Sequence, residues 1–246
     1  MKNIFPVILF LIFASEALAQ VPYRISDNVK AEMRLDSITV DDITFRYKAV
    51  YPEGYDDSKN YPAFIGFTGG KSYEKIVDLS YVSLYRSKYL DGYIKILPMG
   101  HNDSYLKDLS TGKIEKYIAA IENKESLTEN GWLIAGTAYG SIAAFRFAKT
   151  LPEKFDGIIS IAGMINFTDI PEEWKTYKVL VAYGQHENID WKSESKRIEK
   201  LLQGKVAWVD ELIIPGQGHI ISPNFNINTL YEYYFLASGI NKEKNP

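Results

Sequence analysis

A chain of 246 residues, 46% hydrophobic and 24% charged, has the composition of a globular protein with one α/β domain or two small ones, which excludes a disordered or fibrous chain. Its formal net charge of −3, with no long run of one sign, leaves no basic patch for a nucleic-acid partner. The absence of cysteine rules out disulfides, thiolate metal sites, a cysteine nucleophile and a lipid-modified N-terminal cysteine.

The first segment reads as a signal peptide over residues 1–19. Lys2 supplies the positive start, Ile4 to Ala14 form the apolar run, and Ala17-Leu18-Ala19 gives the small-x-small cleavage pattern. The run is shorter than the roughly 20 residues that a spanning helix needs, and Glu16 interrupts it; an uncleaved anchor is the alternative. Cleavage after Ala19 predicts a mature domain of residues 20–246 beginning at Gln20, with no membrane span, secreted or periplasmic.

From there strand-like and helix-like segments alternate. Ile43 to Val50 alternates in the strand manner, followed by the turn-rich Tyr51-Pro52-Glu53-Gly54-Tyr55. Short apolar runs follow at Ala63 to Phe67, Tyr93 to Leu97, Trp132 to Ala135, Ile158 to Ala162, Val179 to Tyr183 and Val206 to Ile214. Each ends close to a glycine, as strands buried on both faces do. Between them Ile76, Leu79, Val82 and Leu84 give a partial helical stripe. Ile114, Ile118 and Ile121 repeat it, as do Ile142, Phe145 and Ala148, then Ile198, Leu201 and Leu202, and Leu230 to Leu236 closes the pattern. This order predicts a single α/β domain, its mostly parallel central sheet of about eight strands covered by helices on both faces. Met164 to Tyr177 is the longest stretch without a pattern and is too short for a lid with its own core, so the top of the sheet is expected to be open. In such sheets the chemistry gathers at the C-terminal ends of the strands.

The most specific motif is Gly136-Thr137-Ala138-Tyr139-Gly140, after an apolar strand and before a helix. Small residues flank the apex because a side chain there collides with the neighbouring strand or helix. The apex residue projects above the sheet and the next N–H points into the site. A dinucleotide-binding turn is the competing reading, but it needs Gly-x-Gly-x-x-Gly near the start of a domain, and this turn lies mid-chain with different spacing. The motif resembles the Gly-x-Ser-x-Gly nucleophile elbow of the α/β-hydrolase family, specifically its small lidless carboxylesterase and feruloyl-esterase-like members, with Ala138 in place of serine. Ser141 to Ala148, Leu151 to Gly157, Ile158 to Gly163 and, upstream, Tyr51 to Tyr55 and Asn60-Tyr61-Pro62 extend the likeness from about Tyr51 to the last helix.

That resemblance implies a set of site residues. Ala138 occupies the nucleophile position. His219, in Pro215-Gly216-Gln217-Gly218-His219 after the last strand, stands where the family's proton-transferring histidine does. Glu187, in Gly184-Gln185-His186-Glu187, matches the family's acid, with Asp190 as the alternative. Tyr139 N–H and Gly70 N–H would form the oxyanion hole, although Thr68-Gly69-Gly70 departs from the family's His-Gly-Gly at Thr68. His101 and His186 also follow strands and lack such a context. No cofactor is implied, and the three histidines lack the spacing of a zinc site.

A methyl group at the apex neither attacks a carbonyl nor loses a proton. Loss of a triad nucleophile costs roughly a million-fold in rate, so the chain is expected to be nearly inert as an esterase. Three readings stay open: a pseudoenzyme that binds an acyl or glycan ligand, an esterase whose serine has been replaced, or a route in which His219 activates a water. The ligand class expected is a small-molecule or polysaccharide ester. The open mouth points toward bulky substrates, and the eighteen tyrosines can serve packing or sugar binding.

Overall fold

Apolar side chains on both faces of a strand require a covering layer on each side, and the observed architecture supplies two. The structure, a computed structural model, describes residues 25–70, 72–100 and 106–239. The signal-like segment and His101 lie outside the described residues.

Helix α1 (Asp27–Ala31) leads into strands β1 (Arg34–Val40) and β2 (Ile43–Val50). These two pair antiparallel through a two-residue turn at Asp41 and Asp42, with φ of 48° and 63°. Both angles are positive, as in the turns whose twist suits a hairpin, and aspartate tolerates them better than most residues. Strands β3 (Ala63–Phe67), β4 (Ile94–Pro98), β5 (Trp132–Thr137), β6 (Phe155–Ile161), β7 (Lys178–Gly184) and β8 (Trp208–Ile214) complete an eight-stranded sheet in the order β1-β2-β4-β3-β5-β6-β7-β8. β2 meets β4 antiparallel, and every pairing from β4 to β8 is parallel. The single-domain, mostly parallel sheet read from the sequence is therefore observed.

The helices α2 (Glu74–Ser80), α3 (Thr111–Glu122), α4 (Tyr139–Thr150), α5 (Ile189–Leu202) and α6 (Asn228–Ala237) divide between the faces, and alternation along the strands decides which residues each face buries. Trp132 and Ile134 of β5, with Val179 and Val181 of β7, join the core made with α3, α4 and α5. Leu133 and Ala135, with Leu180 and Ala182, turn to the opposite core, where Val77 of α2 and Leu230, Tyr231 and Tyr234 of α6 cover them.

The segment from Met164 to Tyr177 forms a short 3-10 turn, Glu172–Thr176, and no lid. Trp174 is fully buried, stacks on Tyr177 with ring centroids 5.2 Å apart, and donates its indole N–H to the Ala148 carbonyl at 3.2 Å. The segment thus packs against the side of α4. Among the described residues, no helix is long and apolar enough to cross a membrane.

Candidate active site

The turn between β5 and α4 shows why its glycines are needed. A Cβ on Gly136 would stand 2.5 Å from the Ser141 nitrogen, and one on Gly140 2.6 Å from the Thr68 carbonyl oxygen. Backbone cannot retreat from such contacts as a flexible side chain can. At the apex, Ala138 has φ 47° and ψ −122° and forms the N-cap of α4 without a side-chain cap. That conformation is strained for any residue with a Cβ. Ala138 N–H donates to the Ile161 carbonyl at 3.0 Å, fixing the apex to the end of β6.

The hydroxyls of Thr137, Ser141, Ser160 and Thr68, on the elbow and the loop beside it, are engaged in hydrogen bonds. Thr137 Oγ1 accepts the Gly69 N–H at 2.9 Å, which holds the loop after β3 against the elbow. Ser141 Oγ donates to the Gly136 carbonyl at 2.7 Å, and Ser160 Oγ lies 3.2 Å from Ser141 Oγ; both serines are fully buried beneath the turn. At the position where the sequence departs from the resembled pattern, buried Thr68 donates its hydroxyl to Ser72 Oγ at 2.8 Å, an internal brace for that loop.

Gly70, with φ 65°, and Tyr139 line one cleft together with Thr68, Phe67 and Ala143. Tyr139 opens α4, so its N–H lies in the first turn, where a helix offers no internal acceptor and carries partial positive charge. The two residues expected to donate to an oxyanion therefore share a surface.

The loops after β7 and β8 are joined. Gln185 N–H donates to the Ile214 carbonyl at 2.9 Å and His186 N–H to the Gln217 carbonyl at 2.7 Å. Gly216 N–H donates to Gln185 Oε1 at 2.9 Å. Gly184 permits this close approach, since a Cβ there would lie 2.5 Å from the Gln217 carbonyl oxygen. The joined loops bring Glu187 Oε2 to 3.0 Å from His219 Nδ1. The Glu187 side chain is fully buried, while that of His219 keeps 27% of its surface exposed. A carboxylate can only accept, so Nδ1 donates in this bond, and in the neutral ring Nε2 is then the nitrogen with the lone pair. The other carboxylate oxygen accepts the Asn188 N–H at 2.9 Å. Asp190 stands exposed in the first turn of α5, where negative charge suits a helix N-terminus. His186 is exposed on the same loop, and its described bond there is made by its backbone.

One neighbour of this pair is not indicated by any sequence motif. Trp191 lies 4.7 Å from the His219 ring, centroid to centroid, and meets Tyr139 edge-on at 5.9 Å. Its only signal in the sequence is its place at the start of the inward stripe of α5, which reads as core.

No protein-family model matches the chain, and no curated protein matches it in sequence. Solved structures do share its fold. An alanine-for-serine mutant of the feruloyl esterase module from Clostridium thermocellum, complexed with sinapinate, is 16% identical with a TM-score of 0.62, over 87% of this chain and 94% of that one. A ferulic acid esterase from the anaerobic fungus Anaeromyces mucronatus is 16% identical with a TM-score of 0.61, over 82% and 88%. Dipeptidyl peptidase 4 of Porphyromonas gingivalis is 14% identical with a TM-score of 0.60, over 84% of this chain and 35% of that one. Likeness at this level establishes the α/β-hydrolase fold, a scaffold that esterases use. Because a peptidase shares it, the fold alone does not decide the bond acted upon.

Proposed function

We propose that this chain is an exported protein built on a carboxylic-ester hydrolase scaffold, disabled as a hydrolase at Ala138, and that it binds acyl esters or the acids derived from them. One observation carries the reading: an alanine held in the strained apex conformation, in a fold whose buried Glu187 orients His219 at 3.0 Å. The elbow keeps a conformation that costs on the order of 1–3 kcal/mol for a residue with a Cβ, and it does so without a nucleophile. What that shape still provides is the Tyr139 N–H at the mouth of α4 and, across the cleft, Gly70.

The chemistry follows from the missing atom. A serine oxygen at this apex would attack an ester carbonyl while His219 Nε2 took its proton, with Glu187 stabilising the imidazolium. Ala138 offers no lone pair. Thr137, Ser141 and Ser160 do not replace it, because their hydroxyls are committed to the loop brace and to the underside of the turn. With the nucleophile absent, oxyanion donors and binding retain roughly a thousand-fold over water and lose about a million-fold relative to a complete triad. An ester carbonyl or a carboxylate oxygen facing the N–H donors is still favoured electrostatically. The N-terminal pattern of residues 1–19 supports the export part of the reading.

The test pairs activity with binding. Ala138→Ser is expected to hydrolyse small aryl or acetyl esters, while the parent chain stays at background. Esters or carboxylic acids are expected to raise the melting temperature of the parent chain by mass action. A correctly folded serine variant that stays at background, together with no thermal shift across a broad ester and acid panel, rejects the proposal.

A further inference from the structure

The helix that follows Glu187 begins with Asn188 as its N-cap, whose side-chain oxygen accepts the Trp191 N–H at 3.1 Å. This cap sets the direction of the first turn of α5 and turns the indole back toward the histidine loop. Trp191 is only 8% exposed. One edge of its environment is the His219 ring, at 4.7 Å with the planes inclined by 39°; the other is Tyr139, at 5.9 Å and 76°. The short stretch from Glu187 to Trp191 thus contacts the imidazole twice, with the Glu187 carboxylate at Nδ1 and the Trp191 indole against the ring.

A single hydrogen bond to Nδ1 fixes that nitrogen but leaves the ring plane able to tilt through small changes in the two side-chain torsions. A second ring packed close against it, as the tilted Trp191 indole is, narrows that freedom. We infer that Trp191 is a positioning residue: it fixes the plane of His219 so that Nε2 is aimed at the apex, and it couples that orientation to Tyr139, which supplies the oxyanion N–H. This rests on the reading of Glu187 and His219 as an acid–base pair. It goes beyond that reading in assigning the orientation to an aromatic wedge from α5 instead of to the carboxylate alone. Proton transfer needs the nitrogen and the proton within hydrogen-bond reach in line, and a displacement near 1 Å costs on the order of 100-fold.

Two measurements test this, and the first does not depend on hydrolysis. In the full parent chain, the Nδ1 proton held by Glu187 is expected to give a far-downfield NMR resonance, assigned by its loss in Glu187→Gln. Trp191→Leu should broaden or abolish it through exchange, and Trp191→Phe, which keeps a ring in place, should retain it. In the Ala138→Ser background, Trp191→Leu should lower kcat on the order of 10–100-fold with KM changed less than about twofold, the signature of an interaction felt in the transition state. Trp191→Phe should recover most of the rate. An unchanged resonance in a folded Trp191→Leu chain overturns the inference, as does an equal loss in the leucine and phenylalanine variants. If Ala138→Ser proves inactive, the proposed ester chemistry loses its support, and the NMR arm still decides the role of Trp191.

Discussion

The Ala138 N–H and the Ile161 carbonyl oxygen are joined by a 3.0 Å hydrogen bond, so the apex of the elbow is tied to the last residue of β6. The next residue, Ala162, has φ 45°, close to the 47° of Ala138, and donates its own N–H to Ala182 at 2.7 Å. Two neighbouring parallel strands are therefore each followed directly by an alanine with positive φ.

Backbone with positive φ costs a residue with a Cβ on the order of 1–3 kcal/mol, and glycine escapes that cost at the expense of a more flexible unfolded chain. Ala138→Gly and Ala162→Gly are each expected to raise stability by about 0.5–2 kcal/mol, the difference of those two effects. Urea unfolding of each variant checks this. A loss of stability would mean that the methyl groups contribute packing that outweighs the strain.

Gly184 makes the opposite case. Its missing side chain lets Gln217 approach, and Gln217 in turn holds His186. Gly184→Ala forces backbone apart at the junction that brings His219 to Glu187, and overpacking of this kind costs about 1–3 kcal/mol. The variant should also abolish ester hydrolysis in the Ala138→Ser background, since the histidine loop moves with Gln217. Circular dichroism against kcat/KM separates the local effect from unfolding.

The strands with a continuous apolar run were readable without the structure, and so was the elbow, because burial on both faces and a strained turn each leave a compositional mark. β1 left none. It lies at the sheet edge, and of its residues Ile38 and Val40 are buried while Arg34 and Leu35 are exposed, so it carries no long apolar run. β6 begins at Phe155, ahead of the apolar run that starts at Ile158, because exposed Asp156 and the small Gly157 break the hydrophobic pattern while the backbone is already extended. At the site, Glu187 and His219 were marked by strand-end position. The contacts of Trp191 depend on a helix cap and on loops that meet from distant parts of the chain, which linear spacing does not encode.

The tyrosines around Glu125 also acquire a role that composition left open. Tyr47 and Tyr51 donate to its two oxygens at 2.5 and 2.7 Å, and Arg34 lies at 3.3 Å. Burial, followed by the hydrogen bond to Glu125, pushes both phenols well above their usual pKa, so they remain donors. Glu125→Ala leaves the buried Tyr47 hydroxyl and the half-buried Tyr51 hydroxyl without their acceptor and is expected to cost about 1–3 kcal/mol, the range for a buried hydrogen-bonding group left unsatisfied. Glu125→Gln should cost less, because an amide oxygen still accepts one phenol. Chemical denaturation of both variants gives the comparison, and equal costs would show that charge, not acceptor count, dominates.

A last relationship gives the fold a pH-dependent joint. Arg86 donates to both oxygens of Glu32, at 3.0 Å to Oε2 and 2.7 Å to Oε1, and Tyr81 donates to Oε2 at 2.7 Å. The Arg86 hydrogen bonds, opposed by partial burial and aided by Tyr81, hold the Glu32 carboxyl below its ordinary 4.5. A carboxyl whose pKa is lower in the folded chain contributes stability that is complete above the unfolded value and disappears as pH falls through the folded one. The pair is partly exposed, so the contribution should be below about 1 kcal/mol and should shrink with salt. Glu32→Gln is therefore expected to be less stable than the parent at pH 7, with the gap closing as pH drops below about 4. Parallel urea titrations across that range read the gap directly, and a difference that stays constant with pH would show that Glu32 acts through packing and not through its charge.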